Sequence, residues 1–189
     1  MNQINIYWFK KDLRLIDNEA FYESTKTYNV LPIYIIEKEI WNQKTHSYRQ
    51  WQFCKECLID LNKELTQIGQ PLIIRVGNVE EIFEDLKMDF DIKGIYSHQE
   101  TGDFLSYERD KKVKKWSSDN NIPWKEYLQF AVFRGNINRN EWSKLARKHY
   151  ERDPIENSLN LKLLKIKGNE MPSDDFFEFP KDICKGRLK

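Results

Sequence analysis

The chain has 189 residues, of which 40% are hydrophobic and 32% are charged, and its mean hydropathy is −0.77. This length fits one domain, or one domain plus a tail, and it is long enough to bury a sizeable core. The 31 basic and 30 acidic residues give a net charge of +1, which excludes a uniformly basic coat for nucleic acid. No apolar run approaches the ~18 residues of a membrane span, so a membrane partner is not expected.

The apolar pattern predicts strands that alternate with helices. In chain order, the predicted elements are a strand at 4–9, a helix at 18–27, a strand at 30–36, a helix at 47–68, a strand at 72–76, a helix at 79–87, a strand at 92–97, a helix at 104–118, a strand at 122–128 and a helix at 141–150. Asp17, Asn78 and Asn140 are predicted to cap the first, third and last of these helices. After Glu151, scattered prolines and the run DDFFEF favour no regular element.

This alternation predicts the fold class. We expect a five-stranded, parallel, doubly wound sheet of the Rossmann-like or flavodoxin-like type, with helices on both faces. Ligands of such sheets bind outside the carboxyl ends of the strands, near the point where the strand order reverses. The loops at 10–17, 37–45 and 98–103 are therefore the segments in which we expect binding residues.

The N-terminus and the cysteines predict a cytoplasmic protein. The opening MNQINIYWFKKDLR has no apolar stretch before a small-residue cleavage site, so it is not expected to act as a signal peptide. Three cysteines, Cys54, Cys57 and Cys184, cannot all pair within the chain, and such a sparse set suggests a reducing compartment. Cys54 and Cys57 form C-x-x-C inside a predicted helix, where half-buried packing is the favoured interpretation.

Several chemical signatures are missing from the sequence. There is no G-x-G-x-x-G after the first strand, no P-loop and no G-x-S-x-G, so conventional dinucleotide or nucleoside triphosphate binding is not expected. The three histidines lie about fifty residues apart, and no second C-x-x-C accompanies the first, so no metal site is predicted. His98 is the histidine placed nearest to the ligand-binding edge.

The loop after the first strand is the most informative segment. Its sequence, WFKKDLRLIDN, places Lys10, Asp12 and Arg14 at the carboxyl edge of the sheet. Asp12 and Arg14 are suited to pair and hold the loop, and this is the arrangement that structure alone favours. The alternative is that Arg14 faces an anion.

These residues also carry a family resemblance. WFKKDLRLIDN resembles W-F-R-x-D-L-R-x-x-D-N, the usual opening signature of the DNA photolyase/cryptochrome family, with Lys10 in place of the usual Arg. The resemblance covers about residues 1–155. It continues in order through IYIIE at 33–37, RQWQFCKECLIDLNKELTQIGQPLIIRVG at 49–77, IYSHQETGDFLSYERDKKVKKW at 95–116, VFR at 132–134 and NEW at 140–142.

The resemblance implies a function divided between two domains. Family members join an N-terminal α/β domain, which in many members hosts a folate or deazaflavin antenna, to a helical domain that binds FAD and the lesion. Light-driven electron transfer from reduced FAD splits pyrimidine dimers in the helical domain. Residues 1–150 are then expected to form the α/β domain and 151–189 a connector. FAD is not expected to bind this chain alone, and no catalytic residue is predicted.

The resemblance also suggests binding residues and partners. Candidate antenna contacts are Glu37, Arg49, Glu100 and Asp103, since a carboxylate pairs well with the amine-rich edge of a pterin. A separate helical FAD-binding domain is the expected partner, and DNA would be contacted only indirectly. Lys10, Asp12 and Arg14 are then loop or interdomain residues. Two alternatives are a stand-alone nucleotide- or flavin-binding module and an inactive truncated product.

Overall fold

A single parallel sheet forms the centre of the molecule. The computed structural model describes residues 1–133, 138–155 and 160–179, and within them there are five strands. They are β1 (Asn2–Phe9), β2 (Asn29–Ile36), β3 (Ile73–Val76), β4 (Phe90–His98) and β5 (Trp124–Tyr127). All neighbouring pairs are parallel, in the order β3-β2-β1-β4-β5. The predicted fold class is therefore confirmed, and the strand order reverses between β1 and β4.

Helices cover both faces of this sheet. The helices of the described residues are α1 (Glu19–Ser24), α2 (Lys38–Trp41), α3 (Tyr48–Gln67), α4 (Val79–Asp89), α5 (Phe104–Asp119) and α6 (Arg139–Tyr150). On one face, α4 and α5 pack against a core that contains Ile6, Trp8 and Ile33. On the other face, α1 and α3 pack against a core that contains Tyr7 and Phe9. Because side chains alternate along a strand, β1 contributes to both cores.

Two predicted helix caps are wrong by one and two residues. Asn18, not Asp17, caps α1, because its side chain accepts a hydrogen bond from the Phe21 amide. Asp17 has a left-handed backbone with φ of 50°, and its amide donates to the carbonyl of Ile155. Asn138, not Asn140, caps α6. The four-residue helix α2 was not predicted, whereas Asn78 caps α4 as expected.

Residues 160–179 pack closely against the sheet although they form little regular structure. The carbonyl of Ile74 on the edge strand β3 accepts from the amide of Asn169, and the Asn169 side chain accepts from the amide of Val76. Earlier in this segment, Leu161 passes over Gly69, whose φ is 108° and where a Cβ would lie 2.3 Å from the Leu161 carbonyl oxygen. The segment thus covers an edge that would otherwise expose unpaired backbone groups. A short 3₁₀ turn, Asp174–Phe176, follows.

Candidate functional site

A cavity opens at the carboxyl edge of β1 and β2. Its volume is about 370 Å³, which falls within the usual range for small-molecule sites. The wall is largely aromatic and apolar, with contributions from Trp8, Phe9, Tyr34, Ile35, Ile40, Trp41 and Phe53. Three elements frame it: the loop after β1, the helix α2 after β2, and the first half of α3. The cavity therefore lies where a parallel sheet of this order binds ligands.

Two cysteine side chains of helix α3 form part of the cavity wall. Cys54 and Cys57 are free thiols that line the cavity, and their predicted half-buried position is confirmed. The Tyr34 hydroxyl lies 3.4 Å from the Cys54 sulfur. Burial raises the pKa of the Cys54 thiol to about 11 and also raises the pKa of Tyr34. Both groups are thus neutral at physiological pH, which suits contact with a flat, weakly polar ring.

A set of buried charges lies beside this wall; we call Lys10, Glu37, Glu100, Arg109 and Asp110 the charge cluster. Arg109 on α5 donates to Glu37 at 2.8 Å, to Asp110 at 2.9 Å and to Glu100. The Lys10 ammonium lies 3.1 Å from both carboxylate oxygens of Asp110. Loops after β1, β2 and β4 therefore meet on one helix through ion pairs. Such pairs are stable when buried only if their geometry and hydrogen bonding are good.

The two cations of the charge cluster also contact the aromatic floor. The Lys10 nitrogen lies 4.5 Å from the centroid of the Trp8 ring, and the Arg109 guanidinium carbon lies 4.8 Å from it. Lys10 is in addition 4.9 Å from the ring of Trp124. These cation–π contacts compensate in part for the water that the cations lose. Trp8 is 1% exposed, so it forms a rigid base beneath the charges.

The carboxylates of the charge cluster do not titrate alike. Burial raises the pKa of Glu37 to about 7, and the charges of Glu100 and Asp110 add to this rise against the opposing effect of Arg109. Burial acts in the same direction on Glu100, but Arg109 and Lys10 outweigh it and hold the pKa of Glu100 below its ordinary value. Near neutral pH, Glu37 therefore exists in both protonation states.

A second buried set lies under the loop after β1; we call Tyr7, Asp12, Asn18 and His98 the anchor cluster. One oxygen of Asp12 lies 2.5 Å from both the Tyr7 hydroxyl and Nδ1 of His98. The Asn18 amide donates to the Tyr7 hydroxyl at 2.8 Å. All four side chains are at most 2% exposed. The cluster joins the loop after β1 to the end of β4 and to the start of α1.

The predicted pairing of Asp12 with Arg14 is not formed. Asp12 accepts its hydrogen bonds from the anchor cluster, which lies beneath the loop, whereas the Arg14 guanidinium donates to the carbonyl of Asp17 at 3.2 Å. Arg14 is half exposed and lines the cavity. The alternative in which Arg14 faces an anion therefore stays open.

The other sequence candidates fall into two groups. Glu37 and Glu100 come together on Arg109 in the cavity wall. Arg49 is exposed on the first turn of α3 and does not line the cavity. Asp103 caps α5 by accepting from the Ser106 amide at 2.9 Å. Sequence reasoning missed Arg109, although one signal marked it.

That signal lies in the spacing of α5. Its buried positions are Ser106, Asp110, Val113 and Ser117, which recur at intervals of three and four residues. Arg109 adjoins this stripe, and its side chain is only 10% exposed. Arg109 and Asp110 are thus neighbouring charged residues on the inner side of a helix, and charges in such a position are rarely found without partners. The position of Arg109 therefore predicts ion-pair partners on another element but does not identify them.

Neither a metal centre nor a membrane span is found among the described residues. Across the described residues, no group of three or more His, Cys, Asp or Glu side chains is placed to hold a metal ion. In the same part of the chain, no helix is long and apolar enough to cross a membrane.

Fold and site together define a doubly wound α/β domain with an aromatic-walled ligand cavity at the carboxyl edge of its sheet. Comparison with known families identifies it further, since the family model for DNA photolyase matches residues 5–139. The chain belongs to the DNA photolyase family. The match covers the α/β fold described above, which corresponds to the N-terminal domain of the family.

Individual relatives agree with this assignment. The chain is 35% identical over 106 residues to cryptochrome DASH of Arabidopsis thaliana, a match that covers 52% of this chain and 18% of the relative. The cryptochrome structure from Synechocystis sp. PCC6803 has a TM-score of 0.73 at 18% identity, covering 93% of this chain and 40% of that one. An archaeal photolyase structure from Sulfolobus tokodaii has a TM-score of 0.67 at 23% identity, covering 84% and 37%. The chain thus spans about a fifth of the length of the curated relatives it matches.

Proposed function

We propose that this chain is a light-harvesting α/β domain and that its cavity binds an antenna chromophore of the folate or deazaflavin type. The observation that carries the proposal is the aromatic-walled cavity at the carboxyl edge of the sheet, in a chain of the photolyase family. The Sulfolobus tokodaii photolyase, whose structure is described as holding two FAD molecules and implying a novel light-harvesting cofactor, supports the same kind of role. We assign no bond-breaking chemistry to the residues of this cavity.

The residues of the cavity fit such a ligand. The apolar part of the wall suits contact with a flat ring, and a chromophore bound there would supply absorption of visible or near-ultraviolet light. Glu37, held in place by Arg109, accepts a pair of hydrogen bonds from a pterin when ionised and donates one to a ring carbonyl when protonated. Nδ1 of His46 is buried in the cavity wall without a hydrogen-bond partner among the described residues. Arg14 is available at the same site for an anionic substituent.

Titration of the purified chain tests the proposal. A reduced folate, a deazaflavin, FAD, FMN, ATP and AMP are added separately, and ligand fluorescence and absorbance are recorded. We expect the folate or the deazaflavin to bind at one molecule per chain. Absence of binding by both would contradict the proposal, and retention of FAD at one molecule per chain would contradict the expectation that FAD does not bind this chain alone. Binding of FMN, ATP or AMP alone would favour a stand-alone nucleotide- or flavin-binding module.

Two tryptophan variants localise the binding. Trp41→Ala removes part of the cavity wall and should weaken binding at least ~10-fold, because a buried aromatic contact contributes more than ~1.4 kcal/mol. Trp142→Ala is the matched control, since this tryptophan is 46% exposed on α6 and donates to the Ala131 carbonyl outside the cavity. Equal loss of affinity in both variants would place the ligand elsewhere.

The proposed light-harvesting role also predicts which partners this chain has. We expect repair or signalling chemistry to belong to a helical FAD-binding domain, with DNA contacted indirectly by this chain. Mixing the purified chain with ultraviolet-irradiated DNA in a gel-shift assay should show no complex at micromolar concentration. A specific complex with the isolated chain would contradict this part of the proposal.

A further inference from the structure

The aromatic tail, defined here as residues 173–179, lies against the outer side of one cavity wall. Phe177 is 5% exposed, and its ring centroid lies 4.7 Å from that of Trp51 and 6.0 Å from that of Trp41. Trp41 is itself a wall residue of the cavity. The tail therefore packs behind the surface that a ligand would contact in front.

An acidic residue fastens the tail to α3. Asp174 accepts hydrogen bonds from the Tyr48 hydroxyl at 2.8 Å, from the Gln52 amide at 2.8 Å and from the Lys55 ammonium at 2.6 Å. These donors, led by Lys55, lower the pKa of Asp174 to about 2. Three donors from the first turns of one helix converge on a single carboxylate. This geometry fixes where the tail meets α3.

Helix α2, which carries Trp41, depends on its surroundings for stability. It has only four residues, and its N-cap residue Glu37 makes no side-chain cap bond. So short a helix is not stable by itself. The tail supports it from outside, because the Glu178 amide donates to the Asn42 side chain at 2.9 Å and the Lys38 ammonium lies 5.1 Å above the ring of Phe176.

We propose that Phe177 and Asp174 are positioning residues for the cavity, because the docked tail holds α2 and Trp41 in the geometry of the binding wall. The role of the cavity rests on the proposed function, whereas the support of α2 by the tail does not. By linkage, a ligand that needs this wall strengthens docking of the tail, and undocking weakens the ligand by the same factor.

Hydrogen exchange of the ligand-free chain tests the support of α2. Asp174→Asn and Asp175→Asn make the same charge change at neighbouring positions. Asp174 is bonded to α3, whereas Asp175 accepts from Ser173 within the tail itself. We expect the amides of residues 38–42 to exchange about 3-fold faster in Asp174→Asn and at the wild-type rate in Asp175→Asn. Equal exchange in the two variants would overturn the role of Asp174.

A second pair of variants examines Phe177. Phe177→Ala leaves a gap behind Trp41 and should speed exchange at 38–42 about 10-fold, with the amides of β1 unchanged. Phe177→Leu keeps most of the volume and should restore most of the protection. If Phe177→Ala also speeds exchange throughout β1, the whole fold is loosened, and the Asp174 pair then decides the proposal. Unchanged exchange at 38–42 in Phe177→Ala would overturn it.

A binding experiment tests the coupling to the cavity. Its probe is the reduced folate or the deazaflavin, whichever binds the wild-type chain. Phe177→Ala should weaken that probe about 10-fold and Asp174→Asn about 3-fold, with Asp175→Asn and Phe177→Leu close to wild type. If neither probe binds, the proposed function fails while the exchange experiments still decide the support of α2. If a probe binds equally to all variants although exchange at 38–42 rises, the coupling to the cavity is refuted.

Discussion

The anchor cluster and the charge cluster occupy the same edge of the sheet, yet they are built in different ways. Both take a side chain from the loop after β1, Asp12 in the first case and Lys10 in the second. In the anchor cluster, the Tyr7 hydroxyl and the His98 ring share the single carboxylate of Asp12. In the charge cluster, several carboxylates share Arg109, and the cluster borders the cavity.

This difference separates a cluster that shapes the loop from one that supplies four charged residues of the cavity wall. Asp12 and Asn18 are prominent in the sequence signature, and the structure uses them to fix the loop. Glu37 and Arg109 lie outside this opening signature, yet both line the cavity. The sequence signature therefore marks the scaffold of the loop more strongly than the charged residues that α2 and α5 bring to the cavity wall.

The largest expected effect comes from breaking the anchor cluster. Asp12→Ala leaves the Tyr7 hydroxyl and His98 buried without their shared acceptor, and it should lower the free energy of unfolding by about 3–5 kcal/mol. Urea unfolding followed by circular dichroism measures this loss. Asp17→Asn is the control, because Asp17 is half exposed and Asn tolerates its left-handed backbone. A loss below about 1 kcal/mol in Asp12→Ala would contradict the buried hydrogen-bond network of the anchor cluster.

The second largest effect on the free energy of unfolding is expected from replacing Arg109. Arg109→Met keeps the length of the side chain but leaves Glu37 and Glu100 without their main cation, at an expected cost of about 2–4 kcal/mol at pH 8. The cost should be smaller at pH 5, since carboxyls that lose a cation take up protons more readily. Urea unfolding at both pH values measures the difference. Arg147→Met, at a side chain 76% exposed on α6, should show neither the cost nor the pH dependence.

Sequence predicted the sheet well because apolar periodicity is a local signal. The sequence also predicted that Glu37 and Glu100 lie at the carboxyl edge of the sheet, because both residues follow buried strands. It did not predict the partners of Asp12 or Lys10, since His98 is 86 residues from Asp12 and Asp110 is 100 residues from Lys10. The packing of residues 160–179 was missed for the same reason, because their contacts with β3 and α3 are distant in sequence.

A smaller effect is expected from Glu37, and its sign follows from the titration. The folded pKa of about 7 lies above the ordinary value of 4.5, so the unfolded state loses this proton first. The contribution of Glu37 is therefore complete below about pH 4.5 and is lost as the pH rises through about 7. Relative to Glu37→Gln, the wild-type chain should lose about 1–3 kcal/mol of stability between pH 4.5 and 8. Urea unfolding at four pH values measures the difference, and parallel curves would refute the raised pKa.

The smallest effect on stability is expected from two arginines: Arg49, which the sequence suggested as an antenna contact, and Arg14, which it suggested as a loop or interdomain residue. Arg14 lines the cavity and Arg49 does not, although both are exposed enough that replacement by Ala should change the free energy of unfolding by less than about 0.5 kcal/mol. Their effects on binding should differ. Arg14→Ala should weaken a chromophore that carries an anionic substituent about 5-fold, whereas Arg49→Ala should leave it unchanged. Fluorescence titration at low and high salt measures both, and the loss in Arg14→Ala should shrink as salt screens the charge. If Arg49→Ala weakened binding as much as Arg14→Ala, the ligand would lie towards α3 and outside the cavity bordered by the charge cluster.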